Sequence, residues 1–459
     1  MSLDQVRDKI LVIADQTLKY SRDLKIPSTE VFVYNLYSTN LTDNKGKVDS
    51  RDGLSQGVGI RASDGKKIGF ASTTGFDEVS LKSTLNLAHS IAKTSPENPM
   101  FNGFVAETKT SKEGILDNNI PNLDAKDMIE HCNLMEQGFD SGDNRLISVT
   151  YAVDVSWGGY ALGTSEGCLA SSLITTYGAN SFVVVTEAGD RKTAGDFVQG
   201  REIKPPVGLA ANAMKHGLES LGSKAFGGSE VLPTVWKSRE AAPFIGFPFI
   251  NNLSGTGYVE KSNPWKDKLG EQVCVEDFTL VDEGQNPEYG ACRSIDTEGT
   301  PKQTTTTIEN GILKTFLFNK MYGEAAKQKS TGNAQRGFGF GGGIPFENLP
   351  AVGPNQLLVK NVGKNLDEQI AEIDKGVLIT GTPIGLFTAN PVTGDFSITT
   401  NDAFLIEKGE IVNPLKSISI AGNYFKTFKN IVAIGSDREA SGWPLDAPSM
   451  TFKGHTISD

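Results

Sequence analysis

The side chains best suited to hold a metal or move a proton are few. The histidines are His89, His131, His216 and His455. Zinc needs several lone-pair donors converging on one point, commonly supplied by closely spaced pairs. None of the four forms a pair at i, i+3 or i+4. Three fall on separate helical patterns and one near the end of the chain, the placement of surface or packing histidines. Cys132, Cys168, Cys274 and Cys292 are far apart, lack a C-x-x-C pair, and read as buried thiols. Asp395, Asp402 and Glu407 supply carboxylates, yet in turns such groups chiefly cap backbone N–H groups. No G-x-S-x-G elbow presents a serine nucleophile. The run from Gly337 to Gly343 lacks the Lys-Ser/Thr and the strand-to-helix frame of a phosphate loop. It fits a flexible loop against an extended peptide or a partner subunit, with Asn333, Gly341, Gly342 and Gly343 as the contact candidates.

The densest patterning lies in Ser294-Ile-Asp-Thr-Glu-Gly-Thr-Pro-Lys-Gln303, Thr307-Ile-Glu-Asn-Gly-Ile-Leu-Lys314 and Ser330-Thr-Gly-Asn-Ala334. Strand-like runs Thr304–Ile308 and Ile312–Leu317 flank Asn310-Gly311, a dipeptide suited to a type I′ turn, so the spacing predicts a β-hairpin. Further on come Thr393-Gly-Asp-Phe-Ser397, Ile406-Glu-Lys-Gly-Glu-Ile411 and Ala421-Gly-Asn423. Taken in this order, the pieces resemble the TldD/PmbA family, two-subunit intracellular metallopeptidases once described as modulators of DNA gyrase. The resemblance covers nearly the whole chain and is densest after about Pro233.

In the catalytic members of that family a helix reading H-E-x-x-x-H supplies two zinc ligands and a general base, and a cysteine near the C-terminus completes the site. The matching stretch is Val235-Trp-Lys-Ser-Arg-Glu-Ala-Ala-Pro-Phe-Ile-Gly246. Glu240 stands where the glutamate would be, and Arg239 and Phe244 where the histidines would be. A guanidinium cannot become a ligand and a phenyl ring has no donor atom. Pro243 disfavours a regular helix here. No cysteine follows Cys292, and the corresponding tail, Ser436-Asp-Arg-Glu-Ala-Ser-Gly-Trp443, offers none. The resemblance therefore implies a PmbA-like, TldE-type subunit with no zinc of its own. Zinc is expected in a TldD-type partner chain, the two cleaving unfolded or small peptides. Hairpin edges could hold an extended peptide by main-chain hydrogen bonds. Two alternatives stand beside this: a metallopeptidase in its own right with a rearranged metal site around Glu240, or a non-enzymatic homodimer that captures a peptide, a partner or nucleic acid.

The elements that must position these residues follow from pattern and composition. With 459 residues the chain has room for two or three domains of about 150 residues each. A net charge of −11 opposes binding to a polyanion, so nucleic acid is an unfavoured partner. No apolar run is long enough to span a membrane, and the first residues enter an amphipathic pattern without a signal core, which makes the cytoplasm the expected compartment. Helices are expected over Ser2–Leu24, Glu78–Thr94, Asp124–Phe139, Pro206–Leu221, Phe318–Ala326 and Leu366–Asp374. Strands are expected at Glu30–Tyr37, Gly57–Ala62, Lys67–Ser72, Arg145–Val155, Gly167–Thr176 and Ser181–Glu187, with turns at Gly158-Gly159 and Gly189-Asp190. The resulting fold is α+β: an N-terminal α/β region (1–120), a central α/β region (121–228) and a β-rich C-terminal domain of the TldD/PmbA type (229–459).

Overall fold

A computed structural model of the chain describes residues 1–106, 109–287, 289–290, 292–337 and 342–459. The first layer is a six-stranded antiparallel sheet in the order β3-β2-β1-β4-β5-β6, formed by β1 (Ser28–Asn44), β2 (Lys47–Asp64), β3 (Lys67–Thr73), β4 (Leu146–Thr164), β5 (Leu169–Glu187) and β6 (Asp190–Gly200). Because β1 pairs with both β2 and β4, strands from the 1–120 and 121–228 segments build one layer together.

Helices cover one face of that sheet. In α1 (Leu3–Asp23), Ser2 and Gln5 form a reciprocal capping box that satisfies exposed N–H groups of the first turn. Val6, Ile10, Ala14 and Leu18 recur at four-residue spacing and bury against Val31, Val33 and Ala161. The helix α2 (Glu78–Thr94) buries Leu81, Leu85 and Ala88 beside them, while α3 (Ala125–Met135) and α4 (Leu209–Glu219) cover the far half of the sheet. The alternate residues of β1 and β4, Phe32, Tyr34, Tyr160 and Leu162, point to the other face, where Ile295 and Phe346 of the C-terminal domain meet them. Gly57 makes room for this seam: a Cβ there would lie 2.4 Å from the Phe346 ring.

Three expectations about this sheet change. Gly158-Gly159 is not a turn; β4 runs straight through it, and Gly158 (φ 150°) lets the backbone approach Asn35, whose carbonyl oxygen a Cβ would meet at 2.1 Å. β5 is one strand rather than two. Beyond Gly189, the strand β6 forms from a segment too polar to show alternation.

The C-terminal domain is strand-rich. Its larger sheet carries β7 (Ser229–Trp236) between the strands Met450–Ser458 and Lys375–Ile379, and a second sheet contains the strands Leu280–Glu283 and Thr304–Glu309. The Asn310-Gly311 turn forms as expected, with φ angles of 50° and 77°. Between the sheets lies α5 (Ser238–Asn252), continuous through Pro243 and Pro248. Prolines remove helix hydrogen bonds at a cost of about 3 kcal/mol or more in a helix interior. Here burial offsets the loss: Phe244 stacks on Trp236 at 4.1 Å and Phe249 on Phe428 at 4.5 Å. Pro243 is expected to disfavour a regular helix here, and tertiary packing overrides that local preference. The architecture is α+β, as expected.

Candidate functional site

The first turn of α5 opens into a cleft of about 700 Å³ between β6 and the C-terminal domain. Its walls come from β6 (Thr193–Phe197), the loops at 380–384 and 400–402, and the tail segment 437–443. A neighbouring cleft of about 1010 Å³ continues along β6 from Phe197 to Gly200. The two share Phe182, Phe197, Glu439, Ser441 and Trp443, so they form one trough. The edge of β6 away from β5 pairs with no other strand among the described residues.

Arg239 sits where these walls meet. Its Nη1 donates to Asp196 Oδ1 at 2.6 Å, its Nε lies 2.9 Å from Glu439 Oε2, and its guanidinium covers the Phe197 ring at 4.4 Å. Asp196 is held in turn by Asn212, whose amide donates to Oδ2 at 3.0 Å. The tail segment around Glu439 packs against this turn. Ser238 Oγ donates to the Ala447 carbonyl and accepts from the Glu439 backbone N–H, both at 2.7 Å.

Glu240 lines the same cleft, but its Oε2 is buried and accepts no hydrogen bond. Burial pushes its carboxyl up to about 7, partly opposed by the nearby charges of Lys237 and Arg239. Phe244 turns elsewhere. Five helical residues rotate a side chain by roughly 140° from its starting direction, and Phe244 is fully buried among Trp236, Phe396, Phe452 and His455. Arg239 and Glu240 are thus brought together with the tail, and Phe244 is not. A cationic guanidinium, one carboxyl and a phenyl ring facing the core do not fit the donor set zinc requires.

Apart from Asp402 and His216, which line the cleft, the other candidates lie away from it. Asn333 is fully buried; its amide donates to Asp282 Oδ2 at 2.7 Å and to the Gly353 carbonyl at 3.0 Å. Gly342 and Gly343 are exposed, and Gly341 lies outside the described residues. Asp395 accepts from Thr393 and Asn423 in an exposed turn, and Asp402 lines the cleft while accepting from Ser220 Oγ at 2.5 Å. His455 is buried between the hydroxyls of Thr234 (2.8 Å) and Thr427 (3.0 Å).

The Asp296-to-Gln303 stretch turns out to be a fastener between the layers. Asp296 accepts from the N–H groups of Glu298, Thr300 and Ala334. Glu298 pairs with Arg61 at 3.0 Å, and Arg61 and Arg336 both pair with the fully buried Glu30. Sequence reading missed Asp196 because β6 was not foreseen, and missed Glu30 and Arg336 because nothing in their spacing links residues so far apart.

Known proteins resemble this chain in sequence and fold. The family model for the PmbA/TldA metallopeptidase C-terminal domain matches residues 229–459, and that for PmbA/TldA metallopeptidase domain 1 matches residues 29–92. A metalloprotease PmbA homolog of Haemophilus influenzae is 26% identical over 90% of this chain and 88% of its own. A metalloprotease TldD homolog of Buchnera aphidicola is 25% identical over 83% of this chain and 79% of its own. The crystal structure of TldE from Thermococcus kodakarensis superposes with a TM-score of 0.83 at 20% identity, covering 97% of this chain and 99% of that one.

Proposed function

The chain belongs to the PmbA/TldD metallopeptidase family, and from that premise we propose that it is a TldE-type, non-catalytic subunit of a two-chain metallopeptidase acting on unfolded or small peptides. The observation that carries this reading is the state of Arg239. At the position of the family's first zinc ligand stands a permanent cation, fixed by Asp196 and Glu439, and the second ligand position points into an aromatic core. The catalytic metal then belongs to a TldD-type partner, and this chain contributes a wall of the peptide-holding chamber. The edge of β6 along the trough, unpaired with any other strand among the described residues, supports that role, since an extended peptide can add to such an edge by main-chain hydrogen bonds whatever its sequence. The exposed Gly342 and Gly343 remain proposed contacts to peptide or partner.

The experiment is to mix the full chain with the TldD-type chain of the same organism and follow assembly and peptide cleavage together. A stoichiometric hetero-complex whose cleavage depends on the partner's metal supports the reading. A stable homodimer with no affinity for that chain would favour a stand-alone binding protein instead.

A further inference from the structure

Glu240 is the acidic residue of the cleft whose buried oxygen has no hydrogen-bond partner among the described residues. A carboxylate taken from water without a donor is costly, and Oε2 of Glu240 has none. Thr380, whose Oγ1 is likewise buried and unpartnered, lines the same cleft. The cleft also has a definite sign of charge. Asp196 and Glu439 already neutralise Arg239. Beyond them, Glu219 and His216 of α4, Asp402 and Asp437 face the cleft with Glu240, while Lys237 is the other cationic side chain among the described residues lining it. An anionic ligand would meet surplus negative charge there, whereas a group offering several N–H donors and a positive charge would complement it.

We propose that the Glu240 end of the cleft is a subsite for the α-ammonium group of a peptide N-terminus, received by the Glu240 carboxyl and the Thr380 hydroxyl, with the aromatic rings of Phe182 and Trp443 flanking the first residues. This rests on the reading of the trough as a peptide site. It adds an end to that site: the peptide enters with its amino terminus toward α5 and its chain along β6. The subsite is pH-dependent in both directions. Affinity rises as Glu240 ionises near neutral pH and falls once the peptide's amino group, with a pKa of about 8, loses its proton.

Isothermal titration of the full chain with tetraalanine amide and with its Nα-acetylated form tests the proposal without altering the protein. Acetylation should weaken binding roughly tenfold or more, the scale of a hydrogen bond to a charged group. Glu240→Gln, which keeps the side chain's shape, should erase the difference between the two peptides. Equal binding of the two by the wild-type chain, or no binding of either, overturns the subsite. So does tight binding of an Nα-acetylated peptide carrying one lysine, which would assign the carboxyl to side chains instead. Equal binding would leave peptide capture by the trough intact, and failure to assemble with a TldD-type chain would leave the subsite intact, so the two proposals fail separately.

Discussion

Arg239 and Asp196 form an ion pair of 2.6 Å that joins the first turn of α5 to the edge strand β6, across the boundary between the helix-covered sheet and the C-terminal domain. The pair is partly buried and continues to Glu439. A cation thus ties three segments of the cleft together.

Removing that cation should loosen the cleft more than it unfolds the protein. Arg239→Ala leaves Asp196 with its Asn212 contact but strips Glu439 of its partner. We expect a loss of about 1–3 kcal/mol in urea denaturation and faster amide exchange in β6. A variant with unchanged exchange there would show that Arg239 does not fasten the strand.

The ion network between the layers should be far less tolerant. Glu298→Ala leaves Arg61 with one buried carboxylate fewer and orphans the Lys320 N–H, which donates to Glu298 Oε2 at 3.0 Å. Breaking a buried pair from one side costs about 3–5 kcal/mol. Chemical denaturation should report a drop of that order, and a drop below about 1 kcal/mol, the worth of a surface pair, would contradict the network's role.

Phe244 is a core residue before it is a vacant ligand position. Phe244→Ala should cost about 3–5 kcal/mol, as large aromatic truncations in cores do. Restoring histidines with the double substitution Arg239→His and Phe244→His should not create zinc affinity, because position 244 faces Trp236 rather than the cleft. Stoichiometric zinc in that variant would contradict this placement.

His455 gives the fold a pH dependence of predictable sign. It is fully buried between two hydroxyls and aromatic rings, and burial pushes its imidazole down to about 4. The unfolded chain, with a histidine pKa of about 6.5, binds the extra proton first. This contribution is therefore complete above pH 6.5 and is lost as pH falls from there toward 4, by up to about 3 kcal/mol. Urea midpoints of the wild type and His455→Gln should converge as pH is lowered through that window. Parallel curves would show that His455 is not buried in the neutral form.

Much of the fold was legible because local chemistry decided it. The capping box at Ser2, the spacing of Val6, Ile10 and Ala14, and the Asn310-Gly311 turn each fix an element by themselves. Where tertiary packing decides, the sequence misled. Paired glycines at 158 and 159 are spacers for a close strand rather than a turn, and Pro243 persists in a helix held by aromatic stacking. In the site, Arg239 and Glu240 were visible through their position in a family pattern. Asp196 and Thr380 were not, because they reach the cleft from a strand without alternation and a loop without a motif.

The most direct test of the non-catalytic reading is the zinc content of the purified, untagged full chain after mild chelation, measured by elemental analysis. A chain whose first ligand position is a paired guanidinium and whose second is a buried phenyl ring should retain no zinc. Near-stoichiometric zinc would contradict that reading and require another set of ligands.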